Sequence, residues 1–281
     1  MTNGCMETLK IAGLLSVLLF AEISAAQLNK GKPSILDSVG VDEKLGQQVP
    51  LDITFTNSDG NKITIGEILE DGKPVLINPL YYECPMLCGL VLEGVFKVIN
   101  ELAWTPGNEY TIISFSIDPE ETPELAKENK LRYVSDLGRS GAENGWYFLT
   151  GTEDNIKRLT DALGFRYTLD ERTGEYVHAA AIGFLSPEGK ISRYLYGIEF
   201  QEFSLRNALY EAADGKIGSA VDRVVLYCFT YDPASNSYVP VAMNIMKIGG
   251  LATLIFLGIF LSLFWSREKK SKKNQTIEIE T

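Results

Sequence analysis

Two cysteines, Cys84 and Cys88, stand four residues apart in the segment Y-Y-E-C-P-M-L-C-G-L, Tyr81 to Leu90. They follow a buried-strand pattern, Pro74-Val75-Leu76-Ile77-Asn78, and precede a helical one, Leu90 to Leu102. A strand that runs into a helix through a cysteine pair places both sulfurs at a helix N-terminus. There the unpaired backbone N–H groups and the positive end of the helix dipole favour thiolate over thiol. If Cys84 to Cys88 form the first turn, i,i+4 spacing puts both sulfurs on one face. That arrangement suits a soft, low-coordinate metal ion or a reversible disulfide. A purely structural disulfide is the poorer reading, because constraining so short a loop contributes comparatively little stability.

The third candidate is His178, the one histidine of the chain. A lone histidine is more often an ordinary packed residue than a ligand, although imidazole is a common metal ligand. In a thioredoxin-like sheet, the strand opened by Val177-His178 lies beside the strand that feeds the cysteine helix, so its first residues approach the two sulfurs. Two thiolates and one imidazole are too few for structural zinc, which closes with four ligands. They suit Cu(I), which prefers soft sulfur and accepts low coordination; Cu(II) also binds if water or an oxygen ligand is added. Met86 offers a soft thioether, but reads better as a partly exposed apolar residue for docking. Cys228 reads as a buried apolar residue, in phase with Val224 and Leu226.

The elements that must position these residues follow from periodicity. Leu51–Phe55 and Lys62–Ile65 alternate around Asn57-Ser58-Asp59-Gly60, a β-hairpin pattern. Gly66–Leu69 reads as a helical turn and Val75–Pro79 as the first fully buried strand. Leu90, Val91, Val95, Val98, Ile99 and Leu102 give a helical face after the cysteines. Glu109–Ile117 is a strand; Thr122 caps a helix with Pro123 at its first position, running to about Leu137. Trp146–Leu149 is a short strand, followed by a helix from Thr152 or Glu153 to about Leu163. Tyr176–Leu185 and Ile191–Tyr196 flank Ser186-Pro187-Glu188-Gly189 as a second hairpin, and Phe203–Ala213 is a final helix. Helices alternating with buried strands imply one α/β domain with a mixed central sheet. Ser219–Val241 reads either as a hairpin or as a membrane-proximal helix.

Both ends carry membrane signals. Leu9–Phe20 is an apolar stretch of signal-peptide length ending in Ser24-Ala25-Ala26, small residues suited to cleavage before Gln27. Ile248–Trp265 is uncharged and long enough to span a bilayer, and Arg267–Lys273 holds five cations in seven residues. By the positive-inside rule that tail is cytoplasmic and the domain lies outside. Residues 27–242 contain 19 Lys and Arg against 32 Asp and Glu, a net of −13, which argues against nucleic acid and anionic lipid as partners. The expected organisation is a signal peptide over 1–26, a lead-in segment over 27–48 and the α/β domain over 49–216. A membrane-proximal extension over 217–242, a transmembrane helix over 243–266 and a cytoplasmic tail over 267–281 complete it. The part expected to lie outside, residues 27–242, has three of the four cysteines, too few for a disulfide-stapled scaffold, so the close pair reads as functional.

The strand–C-x-x-x-C–helix, the Ser116-Ile117-Asp118-Pro119-Glu120 segment and Tyr176-Val177-His178 before Pro187-Glu188-Gly189 together resemble the Sco/SenC family. The resemblance runs from about Leu51 to Ala213. It implies a thioredoxin-like fold with an N-terminal β-hairpin and an inserted hairpin, here with a single C-terminal transmembrane helix. It also implies copper as the bound metal, with Cys84, Cys88 and His178 as ligands and the cysteines able to form a disulfide. The implied role is delivery of copper to, or assembly of, the copper-containing subunit of cytochrome c oxidase, on the periplasmic side of a bacterial cytoplasmic membrane. Asp118 is a candidate outer-shell or docking residue, although an Asp-Pro turn usually just starts a helix. The chain departs from the family in having Gly89, where many members have proline, and in placing its anchor at the C-terminus. The alternative is a thiol–disulfide oxidoreductase that reduces the acceptor's cysteines before metallation, with Cys84 and Cys88 as the redox pair. Reductases of the thioredoxin type have a cis-proline opposite the pair, where this chain has Val177-His178, which favours the metallochaperone. A peroxidase of the peroxiredoxin kind is a poor match, since the chain lacks that family's P-x-x-x-T/S-x-x-C spacing before Cys84.

Overall fold

A computed structural model describes residues 38–83, 87–214, 229–232 and 237–279. Along the chain the strands are β1 (Gly40–Val41), β2 (Thr54–Asn57), β3 (Lys62–Thr64), β4 (Val75–Leu80), β5 (Thr111–Ser116) and β6 (Trp146–Thr150). They continue as β7 (Phe165–Asp170), β8 (Glu175–His178), β9 (Ala181–Leu185), β10 (Ile191–Tyr196), β11 (Phe229–Asp232) and β12 (Ser237–Pro240). The helices are α1 (Ile65–Leu69), α2 (Leu87–Glu101), α3 (Pro123–Leu137), α4 (Ala142–Gly145), α5 (Glu153–Ala162), α6 (Glu202–Ala212) and α7 (Ala242–Ile279). Contacts divide the chain into two compact units: Val41–Arg166 with Ala179–Thr281, and Tyr167–His178 with the residues up to Gly40.

In the larger unit a seven-stranded mixed sheet has the order β10-β9-β4-β5-β6-β2-β3. The pairs β4–β5 and β5–β6 are parallel, and the flanking pairs are antiparallel. Every residue of β4 and β5 is buried, as befits parallel strands covered on both faces, the polar Asn78, Thr111, Ser114 and Ser116 included. Pro79 lies in this central strand because its missing donor falls where no ladder exists. Thr111 N–H donates to Pro74 O and Ile117 N–H to Leu80 O, so odd-numbered residues of β4 turn their amide positions toward β9. The pairing of β4 with β9 ends at Ile77 and Gly183, two residues short of Pro79.

On one face of β5 and β6 an aromatic cluster fills the core. Trp146 and Phe148 have ring centroids 5.3 Å apart, Tyr133 of α3 stacks on Phe148 at 6.5 Å, and Tyr82 reaches Phe148 at 6.0 Å. The Trp146 Nε1–H, fully buried, donates to Ser114 Oγ at 3.0 Å. Helix α3 begins as expected: Thr122 is extended and accepts from Leu125 N–H, Pro123 follows, and Gly138 closes it in the left-handed region at φ 61°.

Two expectations shift. The first hairpin pairs Thr54–Thr56 with Thr64–Lys62, because Leu51 O and Ile53 O accept from Gly66 and Ile65 N–H, tying the preceding residues to α1. The run Tyr176–Leu185 is two strands, not one. Residues Glu175–His178 pair with Asp170–Tyr167 inside the smaller unit, whereas Ala181–Leu185 pair with β10 and β4 in the larger. The turn between β7 and β8 closes with Gly174 at φ 74° and its N–H on Asp170 O. The expected hairpin around Ser186–Gly189 joins β9 to β10.

Of the undecided Ser219–Val241 stretch, the described residues form a hairpin, Phe229–Asp232 against Pro240–Ser237. Cys228 and the expected signal peptide lie outside the described residues. Helix α7 then runs from Ala242 to Ile279, and its Met243–Leu263 portion is long and apolar enough to cross a membrane, none of it buried within the protein.

Candidate metal centre

Cys88 is the second residue of α2, one turn before the buried stripe Val91, Leu92, Val95, Val98 and Ile99. Leu90, expected on that stripe, is 47% exposed, and Leu92 takes its place in the core. Cys84, Pro85 and Met86 lie outside the described residues, as does the Cys88 side chain, so the proposed first turn from Cys84 to Cys88 falls there too. Backbone position alone puts Cys88 among the unpaired N–H groups of the helix start.

The approach to Cys84 is defined residue by residue. Leu80 ends β4, Tyr81 is buried, and the Tyr82 hydroxyl lies 3.1 Å from Ser114 O and 2.9 Å from Leu149 O. A phenol has one proton to share between two carbonyls, and this fork ties the turn to both β5 and β6. Burial pushes the Tyr82 hydroxyl well above its ordinary pKa, with the Glu121 charge adding to the rise. The next residue, Glu83, donates its backbone N–H to Glu121 Oε1 at 2.8 Å.

Glu121 comes from the loop that follows β5. Asp118 Oδ1 accepts from Glu120 N–H at 2.9 Å, and Ser116 Oγ accepts from Asp118 N–H at 3.0 Å. The candidate outer-shell Asp118 therefore spends one carboxylate oxygen on its own turn, the ordinary role of an Asp before a helix. Glu121 N–H in turn rests on Asp118 O at 3.4 Å. The Glu121 carboxyl is shifted above the usual carboxylate range by burial, and Asp118 adds to the shift. Ser116 and the backbone of Tyr82 and Glu83 pull it down in part, yet Oε2 is enclosed without a partner of full hydrogen-bond geometry. Glu121 was not singled out from sequence; within D-P-E-E-T-P it reads as helix-start acidity.

His178 closes β8 in the smaller unit. It is buried, with 8% of its surface accessible, and its backbone stands opposite Tyr167. Tyr167 and Tyr176 of the same hairpin contact each other at 5.7 Å. Among the described residues, no group of three or more His, Cys, Asp or Glu side chains forms a metal-holding cluster.

The family model described as SCO1/SenC matches residues 42–209. The chain belongs to the SCO1/SenC family. Its match takes in β4, the cysteine pair, the Asp118–Glu121 loop and His178, and stops within α6. Two solved structures from Aquifex aeolicus VF5, given provisional electron-transfer and electron-transport roles, are each 32% identical to it. One covers 62% of this chain and 96% of its own with a TM-score of 0.54; the other covers 61% and 99% with a TM-score of 0.51. Arabidopsis thaliana ScoI with copper bound is 20% identical over 61% of this chain and 99% of its own, with a TM-score of 0.43. Among curated proteins none matches. Where many SCO1/SenC sequences carry proline after the second cysteine, Gly89 is the third residue of α2, and a Cβ there would meet nothing within 4 Å. Its N–H is one of the four that a helix start leaves unpaired, so proline and glycine are both tolerated at this position.

Proposed function

We propose that this SCO1/SenC protein binds copper outside the cytoplasmic membrane and delivers it to the copper-containing subunit of a bacterial cytochrome c oxidase. The family match over 42–209 carries the reading. Cys84, Cys88 and His178 would hold the ion. Two thiolates and an imidazole form a soft donor set that fits Cu(I) and is one ligand short of a structural zinc site. As cargo, the ion must leave as well as bind, and low coordination leaves room for an incoming ligand from the acceptor. The helix start at Leu87 favours the thiolate form that binding requires. The apolar part of α7 would anchor the protein, with the basic Arg267–Lys273 run on the cytoplasmic side.

The test is an anaerobic Cu(I) titration of the full chain in detergent, read by stoichiometry and X-ray absorption, for wild type and His178→Ala. One copper per chain with about two sulfurs and one nitrogen, held more weakly in the variant, is the expected outcome. If wild type holds copper no better than His178→Ala, and both reduce an oxidised acceptor equally, the protein is a thiol–disulfide oxidoreductase instead.

A further inference from the structure

The residue before Cys84 is fixed from outside its own loop. Glu83 N–H donates to Glu121 Oε1 at 2.8 Å, across 38 residues of chain, while the residue before it is held through the Tyr82 hydroxyl on Ser114 O and Leu149 O. From the other side, Glu121 is itself held by a turn: its N–H on Asp118 O, and the following Thr122 capping α3. The carboxylate is therefore presented by a rigid helix start, and its target is a backbone amide, not a side chain. Nothing in helix capping requires this contact, since Thr122 already caps α3 and Glu124 supplies acidity in its first turn. Keeping a partly buried carboxylate with one enclosed oxygen that lacks a partner of full hydrogen-bond geometry costs stability, and the Glu83 amide is what it holds in return.

We propose that Glu121 is the positioning residue for the cysteine turn: its hydrogen bond to the Glu83 amide sets where Cys84 begins and so how the Cys84 sulfur meets copper. The proposal rests on the copper-binding reading for its effect on affinity, but its structural half stands apart from it. Outer-shell partners that orient a ligand typically matter 10- to 100-fold in metal affinity, and Glu121 acts at one remove, through the backbone, toward the lower end of that range.

The experiment compares wild type with Glu121→Ala, Glu121→Gln and, as an exposed neighbour, Glu120→Gln, all as full chains in detergent. Glutamine keeps an oxygen that can accept from the Glu83 amide; alanine does not. Three quantities are read: hydrogen exchange at the Glu83 amide, the alkylation rate of Cys84 in the reduced, copper-free protein, and Cu(I) affinity by competition with a chelator. Glu121→Ala is expected to speed exchange and alkylation several-fold and to weaken copper by about tenfold. Glu121→Gln and Glu120→Gln are expected to stay within about twofold of wild type on all three, because the acceptor is retained. The proposal is overturned if Glu121→Ala matches wild type in exchange and alkylation. It is equally overturned if Glu121→Gln is as impaired as Glu121→Ala, since charge and not the hydrogen bond would then be what matters. A wild type that fails to bind Cu(I) would sink the copper reading, while the exchange and alkylation results still decide the role of Glu121. Should Glu121→Ala not fold, exchange at Glu83 in Glu121→Gln decides: protection as in wild type supports the proposal, and loss of protection ends it.

Discussion

At Glu121 the burial that accompanies its hydrogen bond to the Glu83 amide leaves a signature in stability. Its carboxyl titrates above the ordinary value of 4.5, chiefly through desolvation, with the Asp118 charge adding to the rise. The folded chain therefore holds this proton more tightly than the unfolded chain does. Between the ordinary carboxylate pKa and the raised one, the native state binds more protons, so stability falls as pH rises through that window. Glu121→Gln removes the ionisation. Its melting temperature relative to wild type should rise as the pH climbs from the ordinary carboxylate pKa to the raised one and then level off, a curve measurable by calorimetry on the copper-free protein. The neighbours that face the carboxyl, Asp118, Tyr82 and Ser116, are unchanged by the substitution, so a pH-independent difference would show that Glu121 does not titrate as burial dictates. Cysteines and a lone histidine announce themselves in a sequence by chemistry and spacing. Glu121 does not, because its role depends on which loop crosses the cysteine turn, and acidic residues before a helix are ordinary.

Among the elements, α2 matters most to the site because it carries Cys88. Its buried stripe was legible from periodicity, apart from the exchange of Leu90 for Leu92. Periodicity records which residues alternate, but not how close a neighbour's backbone comes. Gly94 illustrates the difference: a Cβ there would lie 2.0 Å from Ile198 O, so the segment after β10 packs directly on the helix backbone. That carbonyl is backbone and cannot swing aside. Gly94→Ala should therefore push α2 away from the segment 198–200, costing about 1–3 kcal/mol in urea-induced unfolding. Alanine is the better helix former by about 1 kcal/mol, so a stabilised variant would mean that the packing is not as close as described. The β7–β8 hairpin shows a second limit of pattern reading. Phe165–Asp170 alternates and is followed by the turn residues Glu171–Gly174, yet the apolar run from Tyr176 to Leu185 reads as one strand. The run changes partners at Ala179–Ala180, pairing with β7 before and with β4 and β10 after, and alternation carries no information about partners.

Across the molecule, the C-terminal helix joins the domain through a packed hairpin. The ring of Phe203 on α6 meets Phe229 edge-on at 5.2 Å and Tyr238 at 6.3 Å, and Arg206 lies 6.0 Å over the same ring. Tyr238 is buried, and desolvation together with the Glu211 charge holds its hydroxyl protonated; Glu211 in turn takes the Arg193 guanidinium at 2.8 Å. One residue, Val241, separates β12 from α7. On the proposed membrane placement, an outer part (residues 27–242) of net charge −13 gains nothing from anionic lipid, so its orientation has to come from this joint and not from attraction to the surface. Tyr238→Ala should release the hairpin from α6. In the full chain reconstituted in nanodiscs, limited proteolysis between Ala213 and Val241 should then accelerate several-fold, because cleavage tracks the population of the opened segment. Cu(I) affinity should stay within about twofold, since the hairpin's partner is α6 and the proposed ligands lie elsewhere in the sequence. Equal cleavage of wild type and variant would mean that the aromatic contacts do not hold the joint, and that the domain swings freely on its anchor.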